Sequence, residues 1–403
     1  MEERVLKKFL SLFICMLLVV LAAVPALAGN SDDAVKAAKL DLLAEVAPGD
    51  INGAIQMRGF TASPDGKYVY GGFLQGGRYV VRFDVTKNCE QAGSYKPESD
   101  DNELYCKGLA VDDRGYLFVG ITHASHSDVS VAAVNSDMQQ VGILNEDLGS
   151  PNTGINGVAV RKLDGKYLLY AVTAYDVDSV RCYDVSDPAN IKLYTAFGNN
   201  GVMDYAAVTG GEKDPSYVAV DEEGYVYLTY LKSGSGKGSH VAKISKDGKS
   251  LVKAVEVTQA YGICEAGDYL FVATYNKADS CVHVLNKSDL SEVAVLKWDG
   301  QTTDLSDIAY GGDCLFVGDH GNGSSNGGAF LKAEIKFAEE TPTTEAPTTD
   351  PETTEAPATD APTTDAPSQP SGDNPHTADA AIIAVAAVAC VTLAGAFIAK
   401  KVK

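Results

Sequence analysis

The chain reads as an all-β protein: a six-bladed β-propeller head, a disordered Thr/Pro/acidic stalk and a single C-terminal transmembrane helix. Three observations predict this. Six passages share one two-strand plan, a run of "TTEAP"-like repeats lacks large apolar side chains, and an apolar stretch near the end is closed by lysines.

The first element is a secretion signal over residues 1–28. Lys7 and Lys8 precede an apolar run from Phe9 to Ala23, and Ala26-Leu27-Ala28 supplies the small-x-small pattern that a signal peptidase accepts, so cleavage is expected after Ala28. The chain beyond Ala28 is expected outside the cell.

The head occupies residues 29–338. The passages "MRGFTASPDGKYVYGGF", "CKGLAVDDRGYLFVGITH", "INGVAVRKLDGKYLLYAVT", "PSYVAVDEEGYVYLTYL", "AYGICEAGDYLFVATYN" and "LSDIAYGGDCLFVGDHG" each place an apolar strand, a polar turn and an aromatic-rich strand in succession. Their starts, near Met57, Cys106, Ile155, Pro215, Ala260 and Leu305, lie about 45 to 60 residues apart, the length of one four-stranded blade. Glycine stands in the tight turns at Gly66, Gly115, Gly165, Gly224 and Gly267, where a positive φ is favoured. A small-residue column at Gly72, Gly120, Ala171, Thr229, Ala273 and Gly318 marks a shared radial position where blades approach one another.

Third and fourth strands complete several units: "DSVRCYDVSD" with "IKLYTAFG", "SHVAKISKDG" with "SLVKAVEV", and "SCVHVLNKSD" with "SEVAVLKW". The last unit, ending in "GGAFLKAEIKF", is one strand short. "KLDLLAEVAPG" has the character of the missing outer strand, so residues 39–47 are expected to close the last blade against residues 328–337 and remove an exposed sheet edge.

Residues 339–373 form the stalk. With almost nothing apolar to bury, they cannot offset the entropy of ordering, and their prolines and like charges favour an extended chain. Residues 374–403 carry the apolar run 380–399, followed by Lys400, Lys401 and Lys403. About 20 residues suffice to cross roughly 30 Å of hydrocarbon, with the lysines left on the cytoplasmic side.

Two resemblances attach to these residues. Asn374-Pro375-His376-Thr377-Ala378, the apolar span and the basic tail together resemble the cell-wall sorting signal of Gram-positive bacteria, although Asn374 and Ala378 stand where leucine and glycine are usual. That resemblance implies a sortase cut after Thr377 and attachment to peptidoglycan; simple membrane retention is the alternative. The repeats resemble the six-bladed propellers of the NHL, lactonase-like and LVIVD-repeat proteins, most closely at "CYDVSDPANIKLY" from Cys182 to Tyr194. Functions across those families run from protein and glycan binding to metal-assisted ester hydrolysis, so the fold alone selects none of them.

The formal net charge is -21, part of it on the stalk, and no basic stripe interrupts the acidity of the head. Nucleic-acid binding is disfavoured, because phosphates call for clustered Lys and Arg. Loops after the second strands should gather at one mouth of the channel, bringing Tyr175, Asp176, Tyr230, Tyr275, Asn276, Asp319, His320 and Asn322 there. Tyrosines and amides at such a mouth suit an extracellular glycan or protein, although solvated loops are polar in any case.

The alternative is a metal-dependent hydrolase of lactones or phosphoesters. His123, His126 and Asp128 could offer nitrogen and oxygen metal ligands within one loop, with Asp319 and His320 converging across ring closure; calcium would draw on the Asp-rich loops, and a lactonase-like site on Asp304, Asp307, Asp319 and Asn322. No His-Glu-x-x-His or Cys-x-x-Cys motif supports zinc, and no Gly-x-Ser-x-Gly elbow supports a serine mechanism. Of the head cysteines Cys89, Cys106, Cys182, Cys264, Cys281 and Cys314, the pair flanking a loop, Cys89 and Cys106, is the first disulfide to consider. Cys182, Cys281 and Cys314 suit a packed strand as thiols.

Overall fold

The computed structural model describes residues 31–46, 55–75, 80–97, 104–123, 127–150, 152–231, 238–275, 280–298, 304–320 and 328–337. The signal segment, the stalk, the span 380–399 and Thr377 lie outside these, as do Asn276, Asn322 and His126. Among the described residues no helix is long and apolar enough to cross a membrane.

Alternating apolar residues and tight turns make short antiparallel strands, and these assemble into six sheets. After the helix α1 (Ser31–Ala37) comes β1 (Asp41–Glu45). Blade 1 is β2 (Ile55–Ala62), β3 (Tyr68–Gln75), β4 (Val80–Asp84) and β5 (Glu90–Tyr95). Blade 2 is β6 (Leu104–Val111), β7 (Leu117–His123), β8 (Asp128–Val134) and β9 (Gln140–Asp147). Blade 3 holds β10 (Gly154–Leu163), β11 (Lys166–Ala174), β12 (Ser179–Asp184), β13 (Lys192–Leu193) and β14 (Val202–Asp204), ahead of the short helix α2 (Tyr205–Thr209). Blade 4 is β15 (Pro215–Val220), β16 (Val226–Tyr230), β17 (His240–Ile244) and β18 (Leu251–Glu256). Blade 5 is β19 (Ala260–Ala266), β20 (Tyr269–Thr274), β21 (Cys281–Asn286) and β22 (Glu292–Lys297). Blade 6 is β23 (Leu305–Gly311), β24 (Cys314–Asp319) and β25 (Ala329–Glu334), and its fourth strand is β1, with Asp41 opposite Lys332 and Glu45 opposite Ala329.

No single core fills the molecule. Six apolar clusters each lie between neighbouring blades, and the one joining blades 6 and 1 packs Phe60, Phe73 and Phe83 against Phe316 and Phe330. The ring therefore closes by side-chain packing as well as by strand pairing. Its small column is part of this contact: a Cβ on Gly72 would stand 2.2 Å from the carbonyl oxygen of Cys106 in the next blade.

Blade 3 departs from the expected strand over "IKLYTAFG". Only Lys192–Leu193 pairs with β12, and the edge resumes at Val202–Asp204. Phe197 turns inward instead, edge-on to Tyr170 with ring centroids 5.3 Å apart, and Gly198 and Gly201 at φ 56° and 90° reverse the chain beside it. Burying one aromatic ring outweighs two residues of ladder. The six described cysteines are all free thiols. Cys106 is buried in β6, and the lack of solvent pushes its thiol up to about 12.

Candidate functional site at the channel mouth

Each inner strand carries an irregularity near its start, between Met57 and Gly59, Cys106 and Gly108, Ile155 and Gly157, Pro215 and Val218, Ala260 and Ile263, and Leu305 and Ile308. A bulge re-aims a side chain, and here it does so around a whole ring. In chain order the bulged residues are Arg58, Lys107, Asn156, Ser216, Tyr261 and Ser306. The next residue is glycine in four blades, but Tyr217 in blade 4 and Asp307 in blade 6. The glycine has a steric reason: a Cβ on Gly59 would stand 2.3 Å from the carbonyl oxygen of Lys107, so its absence lets the first two inner strands close and sets Arg58 beside Lys107.

Around these two cations the tyrosines converge. The Lys107 ammonium donates to the Tyr175 hydroxyl at 3.0 Å and to Asn156 Oδ1 at 3.3 Å, and it lies 5.2 Å from the centre of the Tyr175 ring. Asn156 in turn donates to the carbonyl of Pro215 at 3.2 Å. The Arg58 guanidinium lies 5.1 Å from the centre of the Tyr275 ring, and its Nε is buried without a hydrogen-bond partner. Tyr261 packs against both Tyr217 and Tyr275, with centroids 4.9 and 4.8 Å away, and His320 stands edge-on to Tyr275 at 6.0 Å. Burial lowers the Lys107 pKa, and the Arg58 charge beside it acts in the same direction.

The backbone here is strained. Gln56, the second residue of β2, and Asp214 and Gln259, each just ahead of an inner strand, have φ of 62°, 55° and 58°, and Tyr175 has φ of 78°. Side-chain-bearing residues seldom adopt this region, and it persists only where the surroundings hold it. Asp214 Oδ1 accepts from the Tyr175 amide at 3.2 Å, which fixes that turn.

The residues expected at the mouth divide into groups. Tyr175, Tyr275 and His320 belong to the cluster. Asp176 stands at its edge, accepting hydrogen bonds from Ser150 Oγ and, at 3.2 Å, from Asn152. Asp319 ends β24 and is buried. Tyr230 packs instead on His240, at 4.8 Å between centroids, on the flank of blade 4.

Of the metal candidates, His123 ends β7 and Asp128 begins β8 of the same blade, while His126 lies outside the described residues. His123 lies in blade 2 and Asp319 in blade 6, with all of blade 1 between them, and His123 Nε2 shares a hydrogen bond with Ser130 at 3.0 Å. Among the described residues no three His, Cys, Asp or Glu side chains converge as a metal site would need. Asp307 accepts from its neighbour's amide, Ile308 N, at 2.9 Å, and burial holds its carboxyl well above the ordinary range, outweighing the amides of Ile308 and Phe60.

Arg58, Lys107, Asn156, Tyr217 and Tyr261 are additions that reading blade by blade passes over. Their signal is present in the aligned inner strands, where the column before glycine reads Arg, Lys, Asn and Tyr.

The other end of the channel is different in kind. A cavity of about 630 Å3 runs inward from it to Tyr217 and Asp307, lined by Phe60, Leu109, Val158 and Ile263. Its rim is charged but paired: Arg161 meets Glu265 at 2.6 Å, and Lys287 meets Glu222 at 2.8 Å and Glu265 at 3.3 Å. Burial raises the Glu265 pKa against the pull of both cations.

No protein-family model matches the chain, and no curated protein matches it significantly. Its fold is similar to that of the PQQ-bound aldose sugar dehydrogenase of Streptomyces coelicolor, with a TM-score of 0.52 and 15% identity over 75% of this chain and 99% of that one. A gluconolactonase of Xanthomonas campestris matches at a TM-score of 0.47 and 14% identity, over 77% of this chain and 93% of that one. At 15% identity the likeness to the dehydrogenase concerns the fold alone and shows nothing of this chain's chemistry.

Proposed function

We propose that this chain displays a ligand-binding propeller on the outer face of a Gram-positive envelope, and that the tyrosine-walled mouth takes part of an extracellular glycan or protein. Three features of the sequence support the location: the secretion signal at 1–28, the stalk at 339–373 and the sorting-type segment 374–403, with Thr377 as the attachment point. One observation carries the binding reading. Arg58, Lys107, Asn156, Tyr175, Tyr217, Tyr261, Tyr275 and His320, drawn from all six blades, meet at one place on strained but well-held backbone. Rigid aromatic side chains offer large contact area at little entropic cost, which suits recognition. The hydrolase reading would need a cluster of metal ligands, and among the described residues no three such side chains converge.

The test has two parts. Protease added to intact cells should release the head, and a glycan and protein array probed with the full chain in detergent should give binding that Tyr175→Ala abolishes while the fold survives. A head shielded from protease, or binding indifferent to Tyr175, would overturn the proposal.

A further inference from the structure

Several basic residues of this head hold no carboxylate among the described residues: Arg82 and Lys243 bond backbone carbonyls instead, whereas Arg58 and Lys107 stand together at the mouth. Arg114, Arg161, Lys166, Arg181, Lys246 and Lys287 each hold a carboxylate, as expected in a chain with 54 acidic and 33 basic residues. The two cations at the mouth hold none among the described residues. Their partners are neutral: a tyrosine hydroxyl and an amide oxygen for Lys107, and a tyrosine ring for Arg58.

We propose that the mouth takes an acidic carbohydrate, with the carboxylate or sulfate of one sugar ring seated between Arg58 and Lys107. This rests on the binding reading above and names its ligand class. Crowding two like charges away from water is unfavourable, and an anion placed between them offsets both the desolvation and the mutual repulsion. Donors remain for it. An ammonium has three and Lys107 uses two, while the partly exposed Arg58 guanidinium holds no carboxylate among the described residues. Charge-assisted hydrogen bonds of this kind are the strong ones.

The aromatic wall argues for a sugar over an acidic peptide. Tyr175 is half exposed and Tyr261 and Tyr275 are partly exposed beside the cations, and the C–H face of a pyranose can pack on such a surface. An aspartate or glutamate side chain would satisfy the charge and leave the rings bare. A nucleic acid is disfavoured by the head's acidity, which repels a dense polyanion but tolerates one charge per sugar.

The experiment is calorimetric titration of the full chain in detergent with uronate, sialylated and sulfated oligosaccharides, each beside its carboxyl-reduced or desulfated counterpart, and with acidic peptides. At least one acidic oligosaccharide should bind, its neutral counterpart about tenfold or more weakly, with affinity falling as salt rises. Lys107→Met should weaken binding by a similar factor and Lys107→Arg should restore most of it, at an unchanged melting temperature. Arg58→Gln repeats the test on the second cation; if it does not fold, the two Lys107 variants decide. Equal binding of neutral and acidic sugars, or tighter binding of peptides, would overturn the ligand assignment while Tyr175 dependence kept the mouth as the site. Binding by no member of the panel, or binding untouched by every mouth substitution, would overturn both.

Discussion

The Tyr217 hydroxyl donates to the backbone carbonyl of Arg58 at 2.6 Å, joining blade 4 to blade 1 across the central channel. Tyr217 lines the inner end of the lower cavity and also packs against Tyr261 of the mouth, so its side chain stands between the two ends. Removing only its hydroxyl, as Tyr217→Phe, should cost about 1 kcal/mol in urea unfolding. Tyr217→Ala should cost about 3 to 5 kcal/mol and join mouth to cavity. Equal stability of the two variants would show that the ring does not depend on this strut.

The closeness of Arg58 and Lys107 depends on Gly59. Gly59→Ala forces a Cβ toward a carbonyl oxygen 2.3 Å away in the next blade and should destabilise by about 1 to 3 kcal/mol. Gly165→Ala is the comparison: nothing lies within 4 Å of its Cβ and only the left-handed φ of 78° is strained, so about 1 kcal/mol is expected. Chemical denaturation of the pair checks the order, and ligand titration should show a loss for Gly59→Ala alone.

Much of the fold is legible in the chain because each blade repeats the same constraints: a turn glycine, an alternating strand and a small residue in register. Tyr175 and Tyr275 could be placed at the mouth because they directly follow second strands. Tyr230 ends one, and there it packs on the ring of His240, its partner on the next strand. Arg58 and Lys107 escape a blade-by-blade reading because a bulge, invisible to period-two counting, turns each of them inward. The position of Phe197 is equally a tertiary matter, settled by Tyr170.

At the lower rim Lys287 is nearly buried and bridges Glu222 and Glu265. Lys287→Met should leave Glu265 to Arg161 alone and cost about 2 to 3 kcal/mol, read from the urea midpoint. Because this rim is remote from the mouth, ligand affinity should stay within about twofold of the parent.

His283 gives a pH signature. Its hydrogen bond to Cys281 and its pairing with Glu292 raise its pKa to about 9, from an ordinary 6.5. A folded-state value above the unfolded one means stability present in full below about pH 6.5 and lost as pH rises through about 9. His283→Gln should flatten the urea midpoint across that window. A slope that survives in the variant would assign it to another group.

The most direct measurement is amide hydrogen exchange of the full chain with and without a saturating acidic oligosaccharide. Exchange should slow at the starts of the inner strands, around residues 57–59, 106–108, 155–157 and 260–262, and at Tyr175. Slowing confined to the opposite rim, around Arg161, Glu222, Glu265 and Lys287, would contradict the mouth as the binding site.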